Sequence, residues 1–180
     1  AGIVPHAGWM CSGAVAAGVI AAIGRARSVD TFVVFGAVHS PVVSRAAVYA
    51  HGAWETPLGQ MAIDEDLVGR LTEATPLIEA NAAAHQAEHS IEVQVPFLQH
   101  MQPAARLVPI AVPPDAHAHE VGAAVARQAQ QTGRSVVFLG STDLTHYGPS
   151  YRFTPRGTGP DGLHHLVYEM METVRPSRAD

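Results

Sequence analysis

Thr31-Phe32-Val33-Val34-Phe35-Gly36 is the stretch from which the architecture follows. It is continuously apolar, without polar alternation. That pattern describes a strand covered on both faces, as in a parallel sheet layered with helices. Upstream, Gly2-Ile3-Val4 is β-branched and apolar, and Pro5 ends it. Between these strands lies an Ala/Val/Ile-rich segment that predicts a helix from Ser12, as N-cap, to about Arg27, with Arg25 and Arg27 in its last turn. Strand, helix, strand implies a parallel βαβ unit with a right-handed crossover.

Working outward, Val42–Ala50 predicts a further strand, Glu55-Thr56-Pro57-Leu58-Gly59 a turn, and Asp64–Glu73 a helix with an acidic first turn. His89–Met101 places Ile91, Val95 and Leu98 on one helical face, with Pro96 forcing a kink or a late start. Arg106–Val112 predicts a strand, Ala118–Gln131 a helix stopped by Gly133, Ser135–Leu139 another buried strand, and Leu163–Val174 a last helix. The fold class expected is α/β, a mostly parallel sheet with helices on both faces, in a single domain over 1–180.

Composition narrows the function. The 180 residues are 47% hydrophobic and 15% charged, the balance of a folding chain. A net charge of -5 with scattered Lys and Arg argues against nucleic acid as a partner. The one cysteine, Cys11, cannot form an internal disulfide, which fits a reducing, cytoplasmic setting. No signal peptide is visible, and no apolar run is read as long enough to span a membrane. Histidine stands out, with 11 copies.

Three of the strands run directly into polar loops that carry histidine. Ile3-Val4-Pro5 leads to His6, Val33 to Val38 leads to His39, and Val136 to Gly140 leads to Ser141-Thr142-Asp143-Leu144-Thr145-His146. Ligands in open α/β sheets sit beyond the carboxyl ends of the strands. Neighbouring parallel strands therefore bring His6, His39 and the Asp143/His146 pair to one edge. Imidazoles with a carboxylate and open positions suit non-haem Fe(II), and Zn(II) takes similar donors in hydrolytic sites. A fourth cluster, His85-Gln86-Ala87-Glu88-His89, contains H-x-x-E-H, a zinc-peptidase signature that requires a continuous helix. The other reading makes His89 a single acid/base facing the pocket, with Glu88 and Glu92 as capping or supporting carboxylates.

VPHAG at 4–8, GAVHS at 36–40, ETPLG at 55–59, EHSIEVQVPFLQ at 88–99 and STDLTHYGP at 141–149 together resemble the Memo-like family, whose bacterial and archaeal members are called AmmeMemoRadiSam system protein B. The resemblance implies a three-layer fold shared with class III extradiol dioxygenases. It implies His6 and His39 as metal ligands and His89 as the pocket acid/base. Thr145 stands where animal members carry a metal-site cysteine, which leaves the third ligand open, with Asp143 and His146 as candidates. Ala37-Val38 also departs from the proline-serine pair expected before the histidine. Both ends are short for the family. Fe(II) is the metal expected first, with Cu or Zn as alternatives. A small-molecule or peptide ligand is expected in the pocket, and the family name implies a pathway link to radical-SAM and AMMECR-domain proteins. Three functions compete: a non-haem iron redox enzyme, with His89 and His146 as its catalytic side chains and His6, His39 and Asp143 on the metal; a non-enzymatic metal-binding or adaptor protein; and a zinc hydrolase built on His85, Glu88 and His89.

Overall fold

The central strand is β2, Thr31–Gly36, and its residues are buried on both faces apart from half-buried Phe35. A computed structural model describes residues 1–39 and 43–174 of the chain. In chain order the other elements of the first unit are β1 (Gly2–Val4), α1 (Trp9–Ala26), β3 (Ala46–Val48), β4 (Ala53–Thr56), β5 (Gly59–Ala62), α2 (Glu65–Ala74), β6 (Ile78–Ala80), α3 (Val95–Met101), β7 (Arg106–Ala111), α4 (Ala118–Gln131) and β8 (Val136–Ser141). The sheet order is β1-β8-β2-β7-β3-β6. The chain falls into two compact units, Ala1–Thr142 and Asp143–Asp180. The second carries α5, Pro160–Val174.

The three histidine-bearing strands are parallel neighbours, as their sequence required. β8 pairs with β1 on one side and with β2 on the other, and Val4 stands opposite Ser141. Their carboxyl ends therefore share an edge. β7 continues the parallel run beside β2. The sheet is nevertheless mixed, because β3 runs antiparallel to β7 and takes β6 with it. α1 packs with β1 and α3, and α2 packs with α4, giving a helical layer on each side of the sheet. The core is Ile20, Phe32, Val33, Leu67, Leu71, Leu98, Leu107, Ile110 and Leu139, all fully buried.

Several local expectations are corrected. Helix α1 begins at Trp9 with Gly8 as its N-cap, not at Ser12. The Ser12 hydroxyl donates backward to the Ala7 carbonyl at 2.7 Å, so it is already inside the first turns and caps nothing. The same helix is 18 residues long with mean hydropathy 1.4, long and apolar enough by composition to cross a membrane, contrary to the expectation from the sequence. Its Ser12, Gly13, Ala16 and Ile20 face is buried in the fold. Of the strand expected over 42–50, position 42 lies outside the described residues, and Ala46–Val48 forms the strand. The turn at Pro57-Leu58 joins β4 and β5 into a hairpin. Strand β6, three residues long, carried no sequence signal.

Helix α2 starts one residue later than expected because Asp64 is its cap. The fully buried Asp64 carboxylate accepts from Leu67 N–H at 3.2 Å, from Thr31 Oγ1 at 2.6 Å and from Arg134 Nη1 at 3.1 Å. This ties the amino end of α2 to the start of β2 and the approach to β8. It lies at the sheet edge opposite the histidines.

Pro96 has the anticipated effect on the segment after His89. Glu92–Gln94 forms a 3-10 turn and the α-helix proper begins at Val95, with the proline in its first positions, where a missing N–H costs nothing. Ile91, Val95 and Leu98 are fully buried, as their spacing implied.

Candidate metal centre

Immediately past β1, Pro5 turns the chain out of the sheet, and His6 is buried at 4% exposure. Past β2, the backbone reaches His39 three residues beyond Gly36. His89 arrives from the loop between the 3-10 turn Ala82–His85 and α3. One ligand nitrogen from each of His6, His39 and His89 lies within 4.8 Å of the other two.

The spacing fits one ion. Two nitrogens bound at about 2.1 Å to the same ion stand at most about 4.2 Å apart. A small rotation of the His89 ring, which is 53% exposed, would supply the difference. Ring centres are 5.4 Å apart for His6–His39, 5.6 Å for His6–His89 and 4.8 Å for His39–His89. Three imidazoles this close would be able to hold one divalent ion, and a metal held by three protein ligands would keep a position for a further ligand.

Glu88 organises the site from below. It is 5% exposed, and its carboxylate accepts from His39 N–H at 2.9 Å, from His39 Nδ1 at 2.9 and 3.0 Å, and from Ser90 N–H at 2.8 Å. Burial alone would raise its pKa, but the N–H groups of Ser90 and His39 outweigh burial and hold it down to about 2. It is therefore an anion at any pH where a histidine can bind metal. A carboxylate accepts only, so His39 Nδ1 carries the hydrogen and Nε2 carries the lone pair. His89 Nδ1 is 3.9 Å from Glu88 Oε1, beyond a hydrogen bond.

Ser90 fastens this loop to β2. Its hydroxyl accepts from Ala37 N–H at 3.0 Å, and Gly36 lies so close that a Cβ there would stand 2.6 Å from Ser90 Oγ. Only glycine allows that approach. On the other side, His6 Nδ1 lies 3.3 Å from Ser141 Oγ at the end of β8, and Gln94 Nε2 reaches both Pro5 O, at 2.8 Å, and Ser141 Oγ, at 3.1 Å. Sequence reasoning missed Ser90, Gln94 and Ser141. Ser141 was legible as the first polar residue after a buried strand, and Gln94 as a polar residue between Ile91 and Val95.

The remaining expected site residues are placed as follows. His85 is buried, its Nε2 donates to Ala47 O at 3.1 Å, and its ring meets Tyr49 and Trp54 edge-on. It ends a 3-10 turn rather than sharing a continuous helix with His89, and it is not part of the three-histidine group. The helical geometry that H-x-x-E-H needs is absent. Asp143 and His146 belong to the second unit, where they pair at 3.6 Å and His146 stacks on Tyr151. In the same unit Thr145 Oγ1 lies 2.8 Å from Met170 Sδ.

The family model for Memo-like proteins matches residues 1–177. The chain belongs to the Memo-like family. This Memo-like chain is 38% identical to a MEMO1 family protein of Pyrococcus furiosus over 97% of its own length and 62% of that relative's. With a MEMO1 family protein of Methanothermobacter thermautotrophicus the identity is 40%, covering 96% of the chain and 66% of the relative. With one of Thermococcus onnurineus it is 37%, covering 94% and 60%. The chain thus spans roughly three-fifths of the length of the relatives it matches.

Proposed function

We propose that this Memo-like chain binds one divalent first-row transition metal through His6, His39 and His89, with coordination positions left for a small ligand. The observation that carries this is the convergence of three nitrogens from three separate segments, two of them strand ends, on one point. Fe(II) is the ion first in line, with Cu and Zn as the competing occupants, because three imidazoles suit all of them. Bound iron would supply oxygen-dependent chemistry of the non-haem kind to a ligand in the open positions. The protein's own contribution is to hold two rings rigidly, keep Glu88 ionised beneath His39, and leave one side of the cluster in contact with solvent.

A second reading of His89 rests on its half exposure and on its lack of a hydrogen bond to Glu88. A ring so loosely held is suited to carry a proton to or from a bound ligand rather than to anchor the ion.

Anaerobic Fe(II) titration of the EDTA-stripped protein and of His6→Ala, His39→Ala and His89→Ala tests both. All three substitutions lowering affinity by more than about 100-fold, the cost of a lost ligand rather than of a lost orienting group, establishes the three-histidine centre. His89→Ala retaining wild-type affinity while oxygen uptake by the loaded protein stops assigns His89 to proton transfer. Wild-type binding by His6→Ala and His39→Ala refutes the site.

An open apolar cleft lined by Trp9, Pro57, Leu58, Pro96, Phe97 and His100 favours an adaptor role instead, in which a peptide or small molecule is bound without turnover. Metal-loaded protein that consumes no oxygen with any candidate ligand supports it.

A further inference from the structure

Three side chains of one short segment grip the backbones that leave the sheet. Glu88 accepts from His39 N–H at 2.9 Å, Ser90 Oγ accepts from Ala37 N–H at 3.0 Å, and Gln94 Nε2 donates to Pro5 O at 2.8 Å. The first two hold the chain leaving β2. The third holds the chain leaving β1, one peptide before His6. The gripping segment is itself stiff. Val93 N–H donates to His89 O at 3.1 Å and Gln94 N–H to Ile91 O at 2.9 Å, so turns of helix join Gln94 to His89.

The partners of Gln94 fix how its amide points. Pro5 O is a carbonyl and can only accept, so the amide nitrogen faces it. The other amide hydrogen goes to Ser141 Oγ at 3.1 Å, and the Ser141 hydroxyl gives its own hydrogen to Ser90 O at 2.6 Å. Ser141 stands opposite Val4 in the pairing of β1 with β8, so the amide bridges the two strands at the level where both end.

We propose that Gln94 is a positioning residue for the candidate metal centre: its amide locks the ends of β1 and β8 onto the segment that carries His89. The inference rests on the three-histidine reading for its purpose, while the lock itself is read from hydrogen bonds alone. His6 makes contacts of its own, Ser141 Oγ at 3.3 Å among them. Gln94 acts in addition to those, on the backbone one peptide upstream. One segment thus serves as the common reference for both strand exits, through Glu88 and Ser90 on the His39 side and through Gln94 on the His6 side.

The cost of this arrangement separates it from ordinary packing. Gln94 is fully buried, yet its Oε1 has no hydrogen-bond partner among the described residues. A side chain that only filled space would not bury an unmatched oxygen. The two amide hydrogens are what the position uses, and an apolar side chain of similar length would fill the space without them.

The test begins without metal. In 13C,15N-labelled, EDTA-treated wild type, a through-hydrogen-bond coupling is expected between Gln94 Nε2 and the Pro5 carbonyl carbon; its absence overturns the proposal, whether or not any variant folds. Gln94→Met keeps the length and loses both donors, and Gln94→Glu keeps the shape and turns donors into acceptors. Each should lower Zn(II) affinity about 10- to 100-fold, the usual cost of losing an orienting group. Long-range proton–nitrogen correlation of the metal-free variants, at a pH where the histidines are neutral, should still show His39 protonated on Nδ1, because Glu88 holds that ring independently. Wild-type Zn(II) affinity in both variants overturns the proposal. So does a fall in affinity accompanied by loss of the His39 Nδ1–H signal, which would mark general disruption. A wild type that shows the coupling but takes up no Zn(II) supports the lock and refutes the metal reading.

Discussion

Replacing Glu88 by glutamine tests how the site is held together. The two side chains have the same shape, but glutamine offers one acceptor oxygen where the carboxylate offers two. Three donors point at that position: His39 N–H, His39 Nδ1–H and Ser90 N–H. The amide NH2 must therefore face at least one of them, donor against donor. The magnitude follows from linkage. Glu88 titrates at 4.5 in an unfolded chain and at about 2 in the fold. At about 1.36 kcal/mol per pKa unit, the ionised form contributes roughly 3 kcal/mol to stability at neutral pH. A folded pKa below the unfolded one means that this contribution is complete above 4.5 and is lost as the pH falls through 2. Glu88→Gln should thus be about 3 kcal/mol less stable at pH 7, a loss of roughly 6–12 °C in Tm. The gap should nearly close by pH 2. Urea unfolding of EDTA-treated wild type and variant at several pH values between 7 and 2 measures it. A gap that stays constant over that range would refute the assignment of Glu88 as the buried anion beneath His39.

Gly36→Ala would push a methyl group into Ser90 and Ile91, and an overpacking cost of about 1–3 kcal/mol is expected in urea melts; a neutral result would mean that the loop is not pressed against β2. The His85 pKa is lowered from 6.5, by burial first, with the Ala47 hydrogen bond and Glu88 acting the other way. As pH falls below 6.5 the unfolded chain takes up a proton that the folded ring resists, so stability declines. His85→Phe should flatten that part of the stability profile between pH 8 and 5, and an unaltered slope would contradict a buried neutral His85. Asp64→Ala removes a buried carboxylate that caps α2 and pairs with Thr31 and Arg134. It should cost about 3–5 kcal/mol by calorimetry, because it strands the Arg134 and Thr31 groups; a loss below about 1 kcal/mol would show the network to be slack.

Some of this molecule was written in the sequence alone. The continuous apolar run at 31–36 identified a strand covered on both sides, the run at 136–139 a strand whose alternate residues are only half-buried, and three strands ending in histidine loops pointed to one sheet edge. Period and residue type suffice there because burial on two faces leaves no polar alternative. The delayed start of α3 was likewise legible, since proline acts through its own backbone. The five ordered motifs carried the family, which the match over 1–177 then established. Tertiary structure decided the rest. H-x-x-E-H looks like a metal pair only if its histidines share a helix. The chain breaks between them, one ring turning to Ala47 O and the other to the His6–His39 cluster. Ser90, Gln94 and Ser141 are ordinary polar residues until β1, β8 and the loop at 88–91 are side by side. Their roles come from hydrogen bonds between segments far apart in the chain, and no local pattern encodes which donor will meet which acceptor across that distance.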